Sequence, residues 1–341
     1  MSDILIPTED ALAEAPPPTR GGGAVRYVLT KIGGGLISLG LVIVLGFLLF
    51  RVLPGDVVQT MTRGRPASPE MIAELKTRLG LDKSLMGQFG DYLWKLLHGD
   101  LGQSYVFNVP VAQKIGERLW PTLLLVGVAT IIAVALGLWL GTRSAWRRGS
   151  RFDRISTGVA LALWSTPTFW LGMLLLAATS GLFPTAGLVY SDTPPDFFSQ
   201  AVDIAHHMVL PTVTLVAVIY AQYQLVMRSS LLEEMGADYL TTARAKGLRE
   251  DLVRRRHAVP NALLPTVTLV FLHLGFVIAG AVTTETVFSW PGLGLLTYDA
   301  LRVRDLPLLQ GTFIVLAGAV ITMNVIADVL YRVLDPRVRA S

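Results

Sequence analysis

The chain has 341 residues, 52% of them hydrophobic and 16% charged, with a formal net charge of +4 and a mean hydropathy of +0.53. That balance excludes an ordinary soluble globular protein. The positive charge behind an isoelectric point near 9.4 is dispersed among loops between apolar runs, which argues against a nucleic-acid surface, and the absence of cysteine excludes disulfides, iron–sulfur ligation and thiol catalysis.

Residues 1–25 join acidic residues to Pro16-Pro17-Pro18 and Gly21-Gly22-Gly23, a composition that predicts a disordered tail. The opening MSDILIPTED is acidic where a signal peptide is positive, so no cleavable signal is expected. The first apolar span, 32–50, carries no charge until its end and is long enough to cross a hydrocarbon core. Its glycines 33, 34, 35, 40 and 46 suit close helix approach.

The loop 54–118 that follows has its own order. Ser68-Pro69-Glu70 opens a helix with a cap, a first-turn proline and an acid at the positive end, and Gly80 closes it. Ser84 to Leu97 reads as a second helix, closed by Gly99. Further spans are expected at 121–140, 155–178, 209–226, 266–287 and 308–330, giving an all-α polytopic membrane protein of six transmembrane helices. Six spans put both termini on one side. The two short loops on that side, 143–154 and 228–265, hold 12 Lys and Arg against 2 in the short loops opposite, so both termini and the 228–265 loop are expected in the cytoplasm, and the folded loop 54–118 outside it.

The 228–265 loop is too polar for a bilayer and too patterned for a tether. Leu231 to Lys246 alternates charged and apolar residues as a surface helix does, Gly247 supplies a left-handed stop, and a second short helix, Arg249 to Ala258, runs to a break at Pro260. The result is a bent two-helix knob of mixed charge, suited to docking on another protein.

Aligned on Gly247, this loop resembles the EAA loop of ATP-binding cassette (ABC) importer permeases. Ala243, Gly247 and Pro260 match that pattern, and Thr241, Thr242, His257 and Val259 depart from it. The run Tyr239-Leu-Thr-Thr-Ala-Arg-Ala-Lys-Gly247 looks like the version carried by the dipeptide, oligopeptide and nickel branch. Leu53-Pro-Gly-Asp56, Leu79-Gly-Leu-Asp82, Gly99-Asp-Leu-Gly-Gln-Ser104, Phe183-Pro-Thr-Ala-Gly187, Thr284-Glu-Thr-Val-Phe-Ser-Trp-Pro-Gly-Leu-Gly294, Asp328-Val-Leu-Tyr-Arg332 and Leu334-Asp-Pro-Arg337 resemble stations of the same branch, over roughly 32–337. The resemblance implies a B-type permease subunit in a bacterial plasma (inner) membrane, paired with a second related permease, fed by an extracytoplasmic solute-binding protein and driven by two ATPase subunits that bind ATP and Mg. The coupling residues it implies are Tyr239, Thr241, Thr242, Ala243, Arg244, Lys246, Gly247 and Pro260. Peptides are the expected cargo, with nickel or a metal chelate as the alternative.

The chain's own chemistry agrees with a passive partner. No Gly-Lys pair occurs, so the phosphate cradle of a P-loop is missing and no catalytic residue, cofactor or metal site is expected in this chain. The five histidines, 98, 206, 207, 257 and 273, form no metal-ligand spacing. Glu285 near the end of the fifth span either lines a path or pins the turn before Trp290-Pro291. Ser165, Thr166 and Thr168 around Pro167, where the third span is expected to kink, Tyr220 with Gln224, and His273 either line a polar path or satisfy one another across the bundle. A secondary transporter would need buried carboxylates at mid-membrane and interrupted repeats, and a membrane enzyme would need convergent acids, bases or ligands; neither pattern is visible.

Overall fold

The computed structural model describes residues 22–52, 68–78 and 82–334. Twelve helices occupy these residues: α1 Gly22–Val52, α2 Pro69–Arg78, α3 Leu85–Leu97, α4 Val111–Trp146, α5 Arg151–Trp164, α6 Thr168–Ala178, α7 Phe197–Glu234, α8 Asp238–Ala245, α9 Glu250–Val253, α10 Val259–Val287, α11 Leu293–Val303 and α12 Leu306–Leu334. A π-helical turn, Arg254–Ala258, joins α9 to α10. Among the described residues, α1, α4, α7 and α12 are long and apolar enough to cross a membrane, and the bent pair α5 and α6 makes a fifth if it is one span.

The long helices outrun the apolar stretches that announce them. α4 begins ten residues before the expected 121 and carries Pro121 inside it, while α10 starts at Val259 and passes through Pro265. α1 already includes Gly22, so the last residues of the expected tail are helical, and the rest of that tail lies outside the described residues. So do Leu53-Pro-Gly-Asp56, Leu79 to Leu81 and residues 335–337.

The helix starts follow their capping residues. The Ser68 hydroxyl accepts the Met71 N–H at 3.2 Å and opens α2; Ser84, Ser150 and Asp196 likewise accept from Gly87, Asp153 and Ser199 at the starts of α3, α5 and α7. Gly99, with φ +75°, ends the segment after α3.

The core forms where α4 lies against α7. Ala129, Ala133, Gly137, Gly141 and Ala145 recur every fourth residue on α4 and are all buried. A Cβ on Gly137 would sit 2.6 Å from the Tyr223 Cβ, and one on Gly141 would sit 2.6 Å from the Gln224 carbonyl oxygen. The two backbones therefore touch, which only small residues allow. Leu125, Met208, Leu215, Tyr220 and Trp290 fill the space around this seam. Of glycines 33, 34, 35, 40 and 46 in α1, Gly35, against Val325 and Ile321, and Gly46, against Phe313, meet α12, and the other three have nothing within 4 Å of a Cβ position.

The expected third span, 155–178, falls on α5 and α6, a pair broken around Pro167 and meeting at 103°. Pro167 has no N–H to continue the ladder and disfavours helical geometry at Thr166. The Ser165 and Thr166 hydroxyls donate back to the Leu161 and Ala162 carbonyls at 2.9 Å, so the broken end is satisfied locally.

Candidate coupling site

The 228–265 segment folds onto the ends of α4, α7 and α10. Leu240 and Ala243 of α8, Val253 of α9 and Ala258 of the π-turn are buried with Met227, Leu231, Ala145 and Ala262 in one apolar cluster. The knob is thus a small core of its own, continuous with the long helices beneath it. The Ser230 hydroxyl adds a bond to the Ala262 carbonyl at 2.9 Å, tying α7 to α10.

Gly247 makes the bend. Its φ is +76°, its N–H donates to the Arg244 carbonyl at 2.9 Å, and the Leu248 N–H donates to the Ala243 carbonyl at 3.3 Å. This is a Schellman motif, in which a left-handed glycine satisfies the last carbonyls of a helix and turns the chain. Leu248 packs on the same cluster as Ala243, which completes the motif with its usual apolar contact. Arg244 then reaches across the bend to Glu250, with Nε to Oε1 at 2.9 Å.

The far side of the knob differs from expectation. Only Glu250–Val253 forms an α-helix; the chain then widens into the π-turn, where the Val259 N–H bonds to the Arg254 carbonyl, and passes into α10 without a break. Pro260 sits in the first turn of α10, directly after the widened π-turn, so it lies within continuing helix rather than ending one. The rigid route from knob to span is therefore unbroken.

Tyr239 is a joint rather than a free contact. Its hydroxyl donates to the Glu234 carboxylate at the end of α7 and accepts from Asn261 Nδ2 of α10 at 2.9 Å. Partial burial, with the adjacent Glu234 carboxylate second, holds this phenol above its usual pKa, so it stays a donor. Of the other residues singled out in the sequence, Ala243 is buried beneath the knob, whereas Thr241, Thr242, Lys246 and Gly247 are exposed together on its surface. The exposed set forms a surface a partner could cover. The buried set holds its shape.

A second tie at the same end was not legible in the sequence. Arg228 grips the buried Asp153 carboxylate with two bonds, Nε at 2.7 Å and a terminal nitrogen at 2.9 Å, and Asp153 also accepts the Gly149 N–H at 2.9 Å. The 143–154 loop and α7 are thereby locked together.

At the opposite end of the helices, acids hold the loops. Glu285 is fully buried and accepts the Thr122 hydroxyl at 2.6 Å and the Gly294 and Leu295 N–H groups at 2.7 and 3.2 Å. It acts as the N-cap that Gly292 cannot provide for α11. The Trp290 indole donates to the Pro121 carbonyl at 3.0 Å, and the Leu293 N–H donates to Thr122 at 2.7 Å. Asp305 caps α12 through the Leu308 N–H and accepts the Ser104 hydroxyl and the Val106 N–H. Asp203 accepts the Tyr190 N–H and the Thr193 hydroxyl and lies 3.1 Å from the buried His207. Asp305 had a signal in its place before Leu306-Pro307, a cap followed by a proline; Asp203 had none.

The remaining path candidates are scattered. Tyr220 and Gln224 are buried on α7, and the Gln224 amide has no hydrogen-bond partner at either end. The hydroxyl bonds of Ser165 and Thr166 stay within their own helix. The His273 side chain lies outside the described residues. His206 meets Phe183 in a tilted contact at 5.6 Å while His207 meets Tyr190 at 4.6 Å, so the two adjacent rings serve different contacts.

Comparison with known proteins places this architecture. Residues 115–340 match the family model described as binding-protein-dependent transport system inner membrane component, and residues 24–126 match the model of the N-terminal part of such components. The chain is 38% identical over 335 residues to the dipeptide transport system permease protein DppB of Escherichia coli strain K12, covering 92% of this chain and 99% of that protein. It is also 38% identical over 319 residues to the glutathione transport system permease protein GsiC of Pectobacterium atrosepticum, covering 92% and 99%. A solved inward-facing form of the MetNI methionine ABC transporter shares the fold, with a TM-score of 0.50 at 18% identity over 66% of this chain and 97% of that one. The chain therefore belongs to the binding-protein-dependent transport system inner membrane components: it is a multi-pass inner-membrane permease subunit of an ABC transporter, served by a binding protein and by separate ATPase subunits that bind the ATP.

Proposed function

We propose that this chain forms half of the translocation pathway of a peptide importer, crossing the membrane six times with both termini and the 228–265 knob in the cytoplasm. Peptide cargo is supported by the names of its relatives, which include dipeptide, peptide and glutathione permeases. Its counterpart is a second related permease subunit, with the lipid bilayer around both, and each permease receives one of two ATPases on its knob. Residues 26–341 constitute the permease unit.

The observation that carries the coupling role is the knob's construction. A surface of Thr241, Thr242 and Lys246 is held by Gly247, Leu240 and Ala243 on a core shared with the ends of α7 and α10. Movement of docked ATPases on ATP binding would be transmitted to these two helices as a rigid-body swing, because the π-turn carries the knob into α10 as continuous helix. Thr122, Trp290 and Glu285 at the other end join α10 to α4 and α11, so a swing of α10 would be passed on to the helices that meet there.

The test is purification of the chain with its native partners, followed by vanadate-sensitive ATP hydrolysis with binding protein and with peptides or nickel. Copurification with a related permease and ATPases, and stimulation by peptide, is the expected outcome. Stimulation by nickel alone would transfer the cargo assignment to metal, and purification of the chain without an ATPase would remove the reading.

A further inference from the structure

α3, in the loop between the first two long helices, has more apolar surface than its packing uses. Its Phe89 and Tyr92 rings meet Phe47 of α1 at centroid distances of 5.2 and 5.5 Å. No residue of α3 is fully buried. Met86, Leu97 and Trp94 on an adjoining flank are left 82%, 74% and 67% exposed.

The arrangement of the helix around its axis is informative. At about 100° per residue, Phe89, Tyr92 and Leu96 share the side toward α1, Met86, Leu97 and Trp94 lie roughly a third of a turn away, and the exposed Lys95, with Asp91 beside it, lies across the helix from Met86 and Leu97. A helix lying along a membrane surface beside the end of a spanning helix has this division: one side to its neighbour, one downward to acyl chains, one upward to water.

Depth points the same way. Phe47 belongs to the last turns of α1, an apolar helix whose own surface is largely uncovered, with Leu45, Leu48 and Leu49 exposed beside it. α1 approaches α12 at Gly46 and Phe313, in the half of α12 that starts at Asp305, so this is the end of the bundle remote from the knob. A helix fastened to Phe47 is held at the level where acyl chains give way to headgroups. Trp94 fits that level, since an indole has an apolar body and a polar N–H, and such rings gather at membrane interfaces. Its ring is steadied by His98, with centroids 4.3 Å apart and His98 Nδ1 2.8 Å from the Trp94 carbonyl.

We propose that α3 is an interfacial membrane anchor, with Met86, Trp94 and Leu97 inserted among the lipids of the leaflet remote from the coupling knob. The anchor fixes the height of the folded loop above the membrane. It leaves the Asp91 and Lys95 side of that loop to the aqueous phase.

Because the chain contains no cysteine, the test is direct. Single variants Met86→Cys, Trp94→Cys, Leu97→Cys and Lys95→Cys are spin-labelled in the full transporter, with any partner cysteines replaced, and reconstituted in phosphatidylcholine and phosphatidylglycerol vesicles. Relaxation by oxygen, which concentrates in lipid, is compared with relaxation by a water-soluble nickel chelate. The expected ratio of oxygen to chelate accessibility is several-fold higher at 86, 94 and 97 than at 95. Labels at 86 and 97 as open to the chelate as 95 would place the flank in water, and labels closed to both agents would place it against a protein partner. Either result overturns the proposal. Three positions on one flank guard against disturbance of any single one.

Discussion

The Glu285 carboxylate accepts the Gly294 N–H at 2.7 Å, nine residues along the chain and at the start of the next helix. A Cβ on Gly292 would lie 2.3 Å from that carboxyl group, so the turn can close only around a glycine. The TETVFSWPGLG run is thus a capping device made from a distance: an acid on α10, a hydroxyl on α4 and two glycines that let them meet α11.

Glu285→Gln tests this directly. The amide keeps the size, but with its oxygen on the Gly294 and Leu295 N–H groups its NH2 faces the Thr122 hydroxyl, which must then accept instead of donate, so we expect a loss of about 0.5–1.5 kcal/mol, the usual worth of one hydrogen bond. Thermal melting of the purified transporter should fall. Unchanged melting with altered cargo selectivity would assign Glu285 to the path instead.

The seam between α4 and α7 makes a paired prediction. Gly137→Ala places a methyl against the Tyr223 Cβ and the Tyr220 carbonyl and should destabilise by about 1–3 kcal/mol through forced separation of the helices. Gly127→Ala, on the same helix with nothing within 4 Å, should be neutral or slightly stabilising. Comparing the two melting curves separates packing from propensity.

Gln224 sits fully buried with both ends of its amide unpartnered. An apolar residue of similar length removes that cost, so Gln224→Met should leave stability unchanged or raise it by about 1 kcal/mol. If Gln224 serves the path in another conformation, transport falls while melting does not. Unchanged transport would make it a tolerated core residue.

Much of this was legible in the sequence, for identifiable reasons. The apolar runs, the Ser68, Ser84 and Gly247 punctuation and the Pro167 break depend on local chemistry, and local chemistry is written in neighbouring residues. The severity of the Pro167 bend and the continuation of α10 through Pro260 depend on how freed backbone groups are satisfied. The ties Asp153 to Arg228, Ser104 to Asp305 and Thr122 to Glu285 join residues 75, 201 and 163 positions apart, and no window of sequence contains both ends. The small-residue stripe from Ala129 to Ala145 was present in the sequence at a spacing of four, hidden among larger apolar residues.

Gly247→Val forces a β-branched residue into φ +76°. A strain of about 1–2 kcal/mol is enough to shift the Schellman turn without unfolding the spans. Membrane insertion should persist while ATP hydrolysis loses its dependence on cargo and transport falls. Gly247→Asn, which accepts the left-handed conformation more readily, should keep most of the activity. Full transport by the valine variant would remove the bend from the coupling account.

The central claim, that the exposed face of α8 docks on an ATPase, is tested most directly by cross-linking. Thr242→Cys puts the only thiol of this chain on that face, and a short photoactivatable thiol reagent then reports its neighbour in the assembled transporter. The account predicts a strong adduct with the ATPase subunit whose yield changes between nucleotide-free and vanadate-trapped states. Labelling that reaches only lipid or solvent in both states would contradict it.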